Sequence, residues 1–205
     1  MNQILICKND RKNYIKYQIL FFIFVLIICA SIIFLFVNIY KEFASEEISK
    51  KLNSSYSITT LYSNNMSYTA TEPTSDPFVI GIIKIDKISL NYSILSTSNN
   101  DLLDISVCRF AGPMPNEIGN LCIAGHNYVD YKLFSRLNEL NINDSITIYD
   151  LSGNFKTYKV YDIYETAPDD ISCTFQNTNG KRIVTLVTCN NVNGKRLVIH
   201  ASEII

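Results

Sequence analysis

The sequence predicts a mainly β domain, a barrel or sandwich with short helical insertions, carried behind one transmembrane helix. Three observations predict it: an uncharged apolar run near the start, a polar spacer closed by prolines, and seven short Val-, Ile-, Thr- and Tyr-rich runs beyond Pro77.

The apolar run is Ile19 to Val37, ILFFIFVLIICASIIFLFV, with Ser31 its one polar residue. At about 1.5 Å per residue it is long enough to cross a hydrocarbon core of about 30 Å. A cleaved signal peptide has a shorter apolar region, about 7 to 15 residues, and ends at a small-x-small site that Asn38, Ile39, Tyr40 and Lys41 do not offer. The reading is therefore an uncleaved anchor over residues 19–40. Lys8, Arg11, Lys12 and Lys16 against Asp10 alone make residues 1–18 a cytoplasmic tail and put the rest of the chain outside.

Residues 41–77 read as a stalk and linker. Glu46 and Glu47 stand four residues before Lys50 and Lys51, which supports a short helical continuation. Ser54 to Pro77, dominated by Ser, Thr, Asn and Tyr, has little power to form a core. The folded domain is set at Phe78 and runs over residues 78–205. Its β runs are FVIGIIKI, ISLNYSIL, LCIAGH, SITIYD, FKTYKVYDIYE, KRIVTLVT and RLVIHAS, separated by Asn, Asp, Gly and Pro signals. Two helical insertions are expected, at Asn100 to Ser106 and at Tyr131 to Leu140, where Leu133, Phe134 and Leu137 recur at helical spacing.

Charge and cysteine content exclude several classes. Beyond residue 16 the chain carries fourteen basic against eighteen acidic side chains, and no clustered basic face speaks for nucleic acid. Cys7 falls in the tail and Cys29 in the membrane helix, which leaves four of the six cysteines, Cys108, Cys122, Cys173 and Cys189, in the exported part. Four cysteines allow three disulfide connectivities, but a domain of this size builds a core without staples. No CxxC or HxxxH spacing marks a metal site.

Chemistry concentrates in TLVTCNNVNGKR, Thr185 to Arg196. A six-residue loop between two β runs is most simply an antiparallel hairpin, and strands about 4.8 Å apart then set Cys189 beside Arg196. His200 lies four residues beyond Arg196, roughly 13 Å from the loop end and too far for proton transfer. His126, at the end of LCIAGH where Gly125 permits a sharp exit, is favoured by elimination, although sequence alone does not dock it against Cys189. A thiolate, an imidazolium and a guanidinium together support acyl transfer. Any one of them alone is more often structural, and Cys108, Cys122, Cys173 and His200 keep structural readings.

The ordered set resembles the sortases, the membrane-anchored cysteine transpeptidases of Gram-positive bacteria. TLVTC matches the family's TLxTC signature, Arg196 follows in the next strand, GNLCIAGHN at Gly119 to Asn127 resembles the histidine segment, and IGIIKIDKISLNYSIL resembles the opening strands. The resemblance covers about Phe78 to Glu203 and implies a sortase-type closed β-barrel. It implies that Cys189 attacks the threonine carbonyl of a sorting signal similar to Leu-Pro-x-Thr-Gly, and that an amine of a peptidoglycan precursor or a pilin resolves the thioacyl enzyme. It also implies His126 as general acid and base, Arg196 as the group that steadies substrate or oxyanion, and Thr188 as a residue lining the substrate site. The short loop and single anchor resemble the smaller sortases, class D among them. No metal is assigned, because Asp101, Asp104, Asp169 and Asp170 show no sufficient ligand pattern; calcium dependence, known in some members, stays open. Two rival readings stand beside this one. Another extracytoplasmic cysteine acyl-transferase or peptidase is disfavoured by the order His126, Cys189, Arg196, and an anchored non-catalytic β domain would simply pack Cys189.

Overall fold

The computed structural model describes residues 2–56, 78–128 and 132–204, with side chains from Tyr14 onward. The spacer from residue 57 to Pro77 and the first residue of the second expected helical insertion, Tyr131, lie outside the described residues.

Helix α1 runs Asn2–Ser55 without a break. From Tyr14 it is long and apolar enough to cross a membrane, and its apolar side chains are exposed, with none of the spanning window buried. Such a surface is consistent with a membrane anchor or a signal segment. The one hydroxyl in the run, Ser31, donates to the Ile27 carbonyl at 2.8 Å, so it leaves no open donor on the apolar face. By its contacts the chain divides into residues 1–45 and residues 46–205.

The second unit is a closed barrel of eight strands. They are β1 Val79–Ile85, β2 Leu90–Leu95, β3 Val107–Ala111, β4 Gly119–Ala124, β5 Ser145–Asp150, β6 Phe155–Thr166, β7 Arg182–Cys189 and β8 Arg196–Glu203. Around the barrel they follow the order β1-β2-β3-β4-β7-β8-β6-β5. Two neighbouring pairs, β2 with β3 and β4 with β7, are parallel and the rest antiparallel. Closure removes the open edges that a sheet of this size would otherwise expose. Alternation fills the interior: Val184 and Leu186 of β7 point inward with Ile83, Ile94, Ile123, Ile146, Ile148 and Ile199. Thr185 and Val187 face the other way.

The expected barrel is present, and the seven expected β runs each contain a strand. β3 is the addition. Its five residues include Arg109 and pair with β2 at only two positions, so no long alternating pattern announces it. The first insertion is a single helical turn, α2 Asn100–Leu103, capped by Asn99 Oδ1 accepting from the Leu102 N–H at 2.9 Å. The expected helix over Tyr131 to Leu140 is corrected: its described part is a turn followed by a 3₁₀ turn at Leu137–Glu139. Leu133 sits in the left-handed region at φ 50°, which no helix continues through. Leu133, Phe134, Leu137 and Leu140 nevertheless all enter the core, so tertiary burial satisfies their spacing without a helix.

The end of α1 packs on the barrel within the second unit. Leu52 and Tyr56 lie against Val79, Leu95, Leu102 and Cys108, and Asn53 Oδ1 accepts from the Ser93 N–H at 2.9 Å. Glu46 pairs with Lys50 at 2.6 Å, the expected i,i+4 bridge, and with Lys132 at 3.2 Å. A fragment beginning at Phe78 loses this cover and the bond from the Ser93 N–H to Asn53. Urea denaturation should find it less stable than a fragment beginning at Glu46 by about 2 to 4 kcal/mol; equal midpoints would show that the helix end contributes nothing.

Candidate active site

β7 sits between β4 and β8, and the register of the two pairings determines what shares its outer end. On the β8 side Cys189 pairs with Arg196, and on the far side of β8 Arg196 pairs with Thr166 of β6. The connecting loop closes as a hairpin, with the Asn190 N–H on the Lys195 carbonyl at 2.7 Å and Gly194 in the left-handed region at φ 71°.

On the β4 side the parallel register ends at Ala124 opposite Val187. Three further bonds carry the two chains onward together. The Gly125 N–H donates to the Val187 carbonyl at 3.2 Å, the Thr188 hydroxyl to the Gly125 carbonyl at 2.7 Å, and Asn127 Nδ2 to the Cys189 carbonyl at 2.8 Å. His126 lies between these ties, level with Cys189. Aligned residues of neighbouring strands face the same side. His126, Cys189 and Arg196 thus occupy one level across three adjacent chains.

Gly125 is required for a reason the sequence did not show. A Cβ there would stand 2.8 Å from Phe134 Cδ2 and 3.0 Å from Val107 Cγ1, so the need is packing room rather than a sharp exit. Phe134 is fully buried, and its N–H donates to the His126 carbonyl at 3.0 Å. The histidine is thereby anchored to the core from behind. Its ring, 35% exposed, places Nε2 3.4 Å from Asp104 Oδ1, and the Tyr128 hydroxyl donates to that same oxygen at 2.6 Å. Sequence spacing points to neither neighbour: Asp104 is 22 residues away in the chain, and Tyr128, two residues on, belongs to no pattern that marks a site.

Thr188 faces the other way from the expected substrate-lining position. It is 4% exposed, and its hydroxyl is spent on Gly125, so it ties β7 to the histidine segment from the inner side. His200 is also accounted for. The Thr185 hydroxyl donates to Asn120 Oδ1 at 2.6 Å, since Asn120 Nδ2 already donates to the Cys173 and Phe175 carbonyls. Thr185 Oγ1 must therefore accept from His200 Nδ1, 2.8 Å away, and His200 Nε2 accepts from Tyr164 Oη at 3.3 Å. Burial lowers the His200 pKa, opposed by the charge of Asp162, and the neutral ring serves as a structural link.

The four barrel cysteines separate by environment. Cys108 and Cys122 are fully buried and burial pushes both thiols up to about 12; Cys173 is raised for the same reason, while Cys189 is exposed. All four are free thiols. Among the described residues no side-chain hydrogen bond or ion pair involves Arg196, and its charge acts on the Cys173 thiol, lowering it against the effect of burial. Also among them, no group of three or more metal-ligating side chains converges.

Hydrogen bonds frame the hairpin on both flanks. Glu165 takes Asn190 Nδ2 at 2.5 Å and Asn193 Nδ2 at 2.8 Å, and Asn191 Nδ2 donates to the Asn127 carbonyl at 2.6 Å. Asp170, held by the Thr166 hydroxyl and the Ser172 N–H, has its carboxyl lowered to about 2 by those bonds.

The site is thus an exposed thiol at the end of a strand of a closed barrel, level with a histidine on one flank and an arginine on the other. The sortase-domain family matches residues 83–204, and the chain belongs to the sortase family. It is 32% identical to Sortase A of Bacillus anthracis over 124 residues, which cover 59% of this chain and 58% of that one. Among solved structures it is similar to a Clostridium perfringens Sortase D5 transpeptidase, at 28% identity and TM-score 0.59, covering 81% of this chain and 99% of that one. Sortase C1 of Streptococcus suis shares the fold at 23% identity and TM-score 0.56, covering 62% of this chain and 73% of that one. The likeness spreads over sortases A, C and D and assigns no class.

The burial pattern sets an order of thiol reactivity. In a folded fragment from Glu46 to Ile205, iodoacetamide should label Cys189 alone, with Cys108, Cys122 and Cys173 labelled only after denaturation, as read by peptide mass spectrometry. Labelling of a buried cysteine at a comparable rate would contradict this order.

Proposed function

We propose that this protein is a membrane-anchored cysteine transpeptidase that joins surface proteins to a cell-wall or pilin amine. The observation that carries the reading is the shared level of His126, just past the end of β4, with Cys189 of β7 and Arg196 of β8. Family membership and the exposed thiol support it.

In this reading Cys189, as thiolate, attacks the threonine carbonyl carbon of an LPxTG-like sorting signal. The imidazolium of His126 gives its proton to the departing amine as the C–N bond breaks, and a thioester remains on Cys189. The incoming amine loses a proton to the now neutral imidazole and attacks the thioester. The C–S bond breaks and the thiolate returns. Arg196, a planar fork of permanent charge, donates to the substrate or to the oxygen that gains charge in each addition. Thr188 contributes from behind by holding β7 to the histidine segment.

The same reading assigns residues 1–18 to the cytoplasm, 19–40 to the membrane, 41–77 to a connecting stalk whose first part packs on the barrel, and 78–205 to the catalytic domain outside. The signal peptide and the amine acceptor, a peptidoglycan precursor or a pilin lysine, are its partners.

The test is a fluorogenic LPxTG-like peptide given to the detergent-solubilised full chain. Wild type should cleave it after threonine and accumulate a thioacyl adduct on Cys189, visible by intact mass; cleavage retained in Cys189→Ala would falsify the assignment. Arg196→Lys should lower kcat/KM by about 10²-fold, because a point charge replaces a two-pronged donor. Near-normal turnover in that variant would remove Arg196 from the mechanism.

A further inference from the structure

A cysteine–histidine pair works only if the ring presents the correct nitrogen to the sulfur, so whatever holds the other nitrogen matters. The structure brings one carboxylate to His126. Asp104 Oδ1 lies 3.4 Å from Nε2, and the same oxygen accepts the Tyr128 hydroxyl at 2.6 Å. The Tyr128 and His126 rings lie against each other with centroids 5.2 Å apart. Tyr128 thus limits both the carboxylate and the imidazole.

The carboxylate stands on a fixed base. Asp104 ends α2, its N–H donating to the Asn100 carbonyl at 3.1 Å, and α2 is pinned by buried Leu102 and by the Asn99 cap. The His126 backbone is fixed in turn by Phe134 and by the ties that run from Gly125 and Asn127 to β7. Two rigid elements therefore meet at one carboxylate and one ring. The separation is long for a hydrogen bond, as such contacts often are before substrate arrives.

We propose that Asp104 is a positioning residue for His126: its carboxylate accepts from Nε2–H, keeping that proton on the ring, and leaves Nδ1 as the nitrogen that exchanges a proton with Cys189. The proposal rests on the reading of Cys189 and His126 as the reacting pair. No bond to carbon changes at Asp104; the Nε2 proton stays on the ring through both half-reactions while Nδ1 alone gains and loses one. With Asp104 half exposed, the contact is screened by solvent and its effect is modest.

Two readouts on the full-length protein in detergent test it. In ¹⁵N NMR of the neutral ring, wild type shows His126 almost wholly as the Nε2–H tautomer, and Asp104→Ala shows the Nδ1–H form appearing. In peptide cleavage, Asp104→Ala lowers kcat about five-fold with KM within two-fold, and Asp104→Asn, which keeps an acceptor oxygen in place, recovers most of kcat. An Nδ1–H tautomer in wild type, an unchanged kcat in Asp104→Ala, or no recovery in Asp104→Asn overturns the proposal. The tautomer measurement needs no turnover, so a wild type that cleaves nothing would sink the transpeptidase reading while the Asp104 contact is still decided by the spectrum.

Discussion

The outer end of this barrel depends on the parallel pairing of β4 with β7. Parallel strands need a long crossover, and here the connection from β4 to β7 carries β5 and β6 around the barrel before the chain returns. That return brings His126 level with Cys189 across 63 positions of sequence. The pairing is prolonged past the last strand residue by Gly125, Thr188 and Asn127, each spending a polar group on the opposite chain. A one-residue slip would turn Cys189 to the opposite face from His126, because side chains alternate with period two.

Burial then distinguishes groups of the same chemistry. Burial raises three thiols, and the fourth is at a strand end in contact with solvent. One histidine is committed at both ring nitrogens to Thr185 and Tyr164, while the other presents its ring beside a carboxylate. The committed network also holds the segment around Cys173 and Phe175 onto β4 through Asn120. This polar network on the outer face of the sheet is therefore scaffold for the site rather than a second site.

The hairpin after Cys189 shows how an exposed loop is held without a core. Asparagine side chains do the holding, with Asn190 and Asn193 on Glu165 and Asn191 on the Asn127 carbonyl. Val192, 95% exposed, contributes no packing. The loop spans from β6 to the histidine segment, so the thiol and the arginine at its two ends are held from both flanks.

Local patterns were legible in the sequence: the apolar helix by length, the seven strands by composition and turn signals, and the pairing of Cys189 with Arg196 by a short loop that a hairpin joins most simply. Each of these is decided by neighbours in the chain, so spacing suffices. β3 and the broken helix at Leu133 were not legible, because pairing across the barrel and burial of four apolar side chains outweigh local preference. His126 could be favoured by elimination and by resemblance, but its place beside Cys189 is a matter of register between strands far apart in sequence. The inward turn of Thr188, the packing demand at Gly125 and the meeting of Asp104 with His126 belong to the tertiary structure alone, since each depends on a contact whose partner no spacing rule identifies.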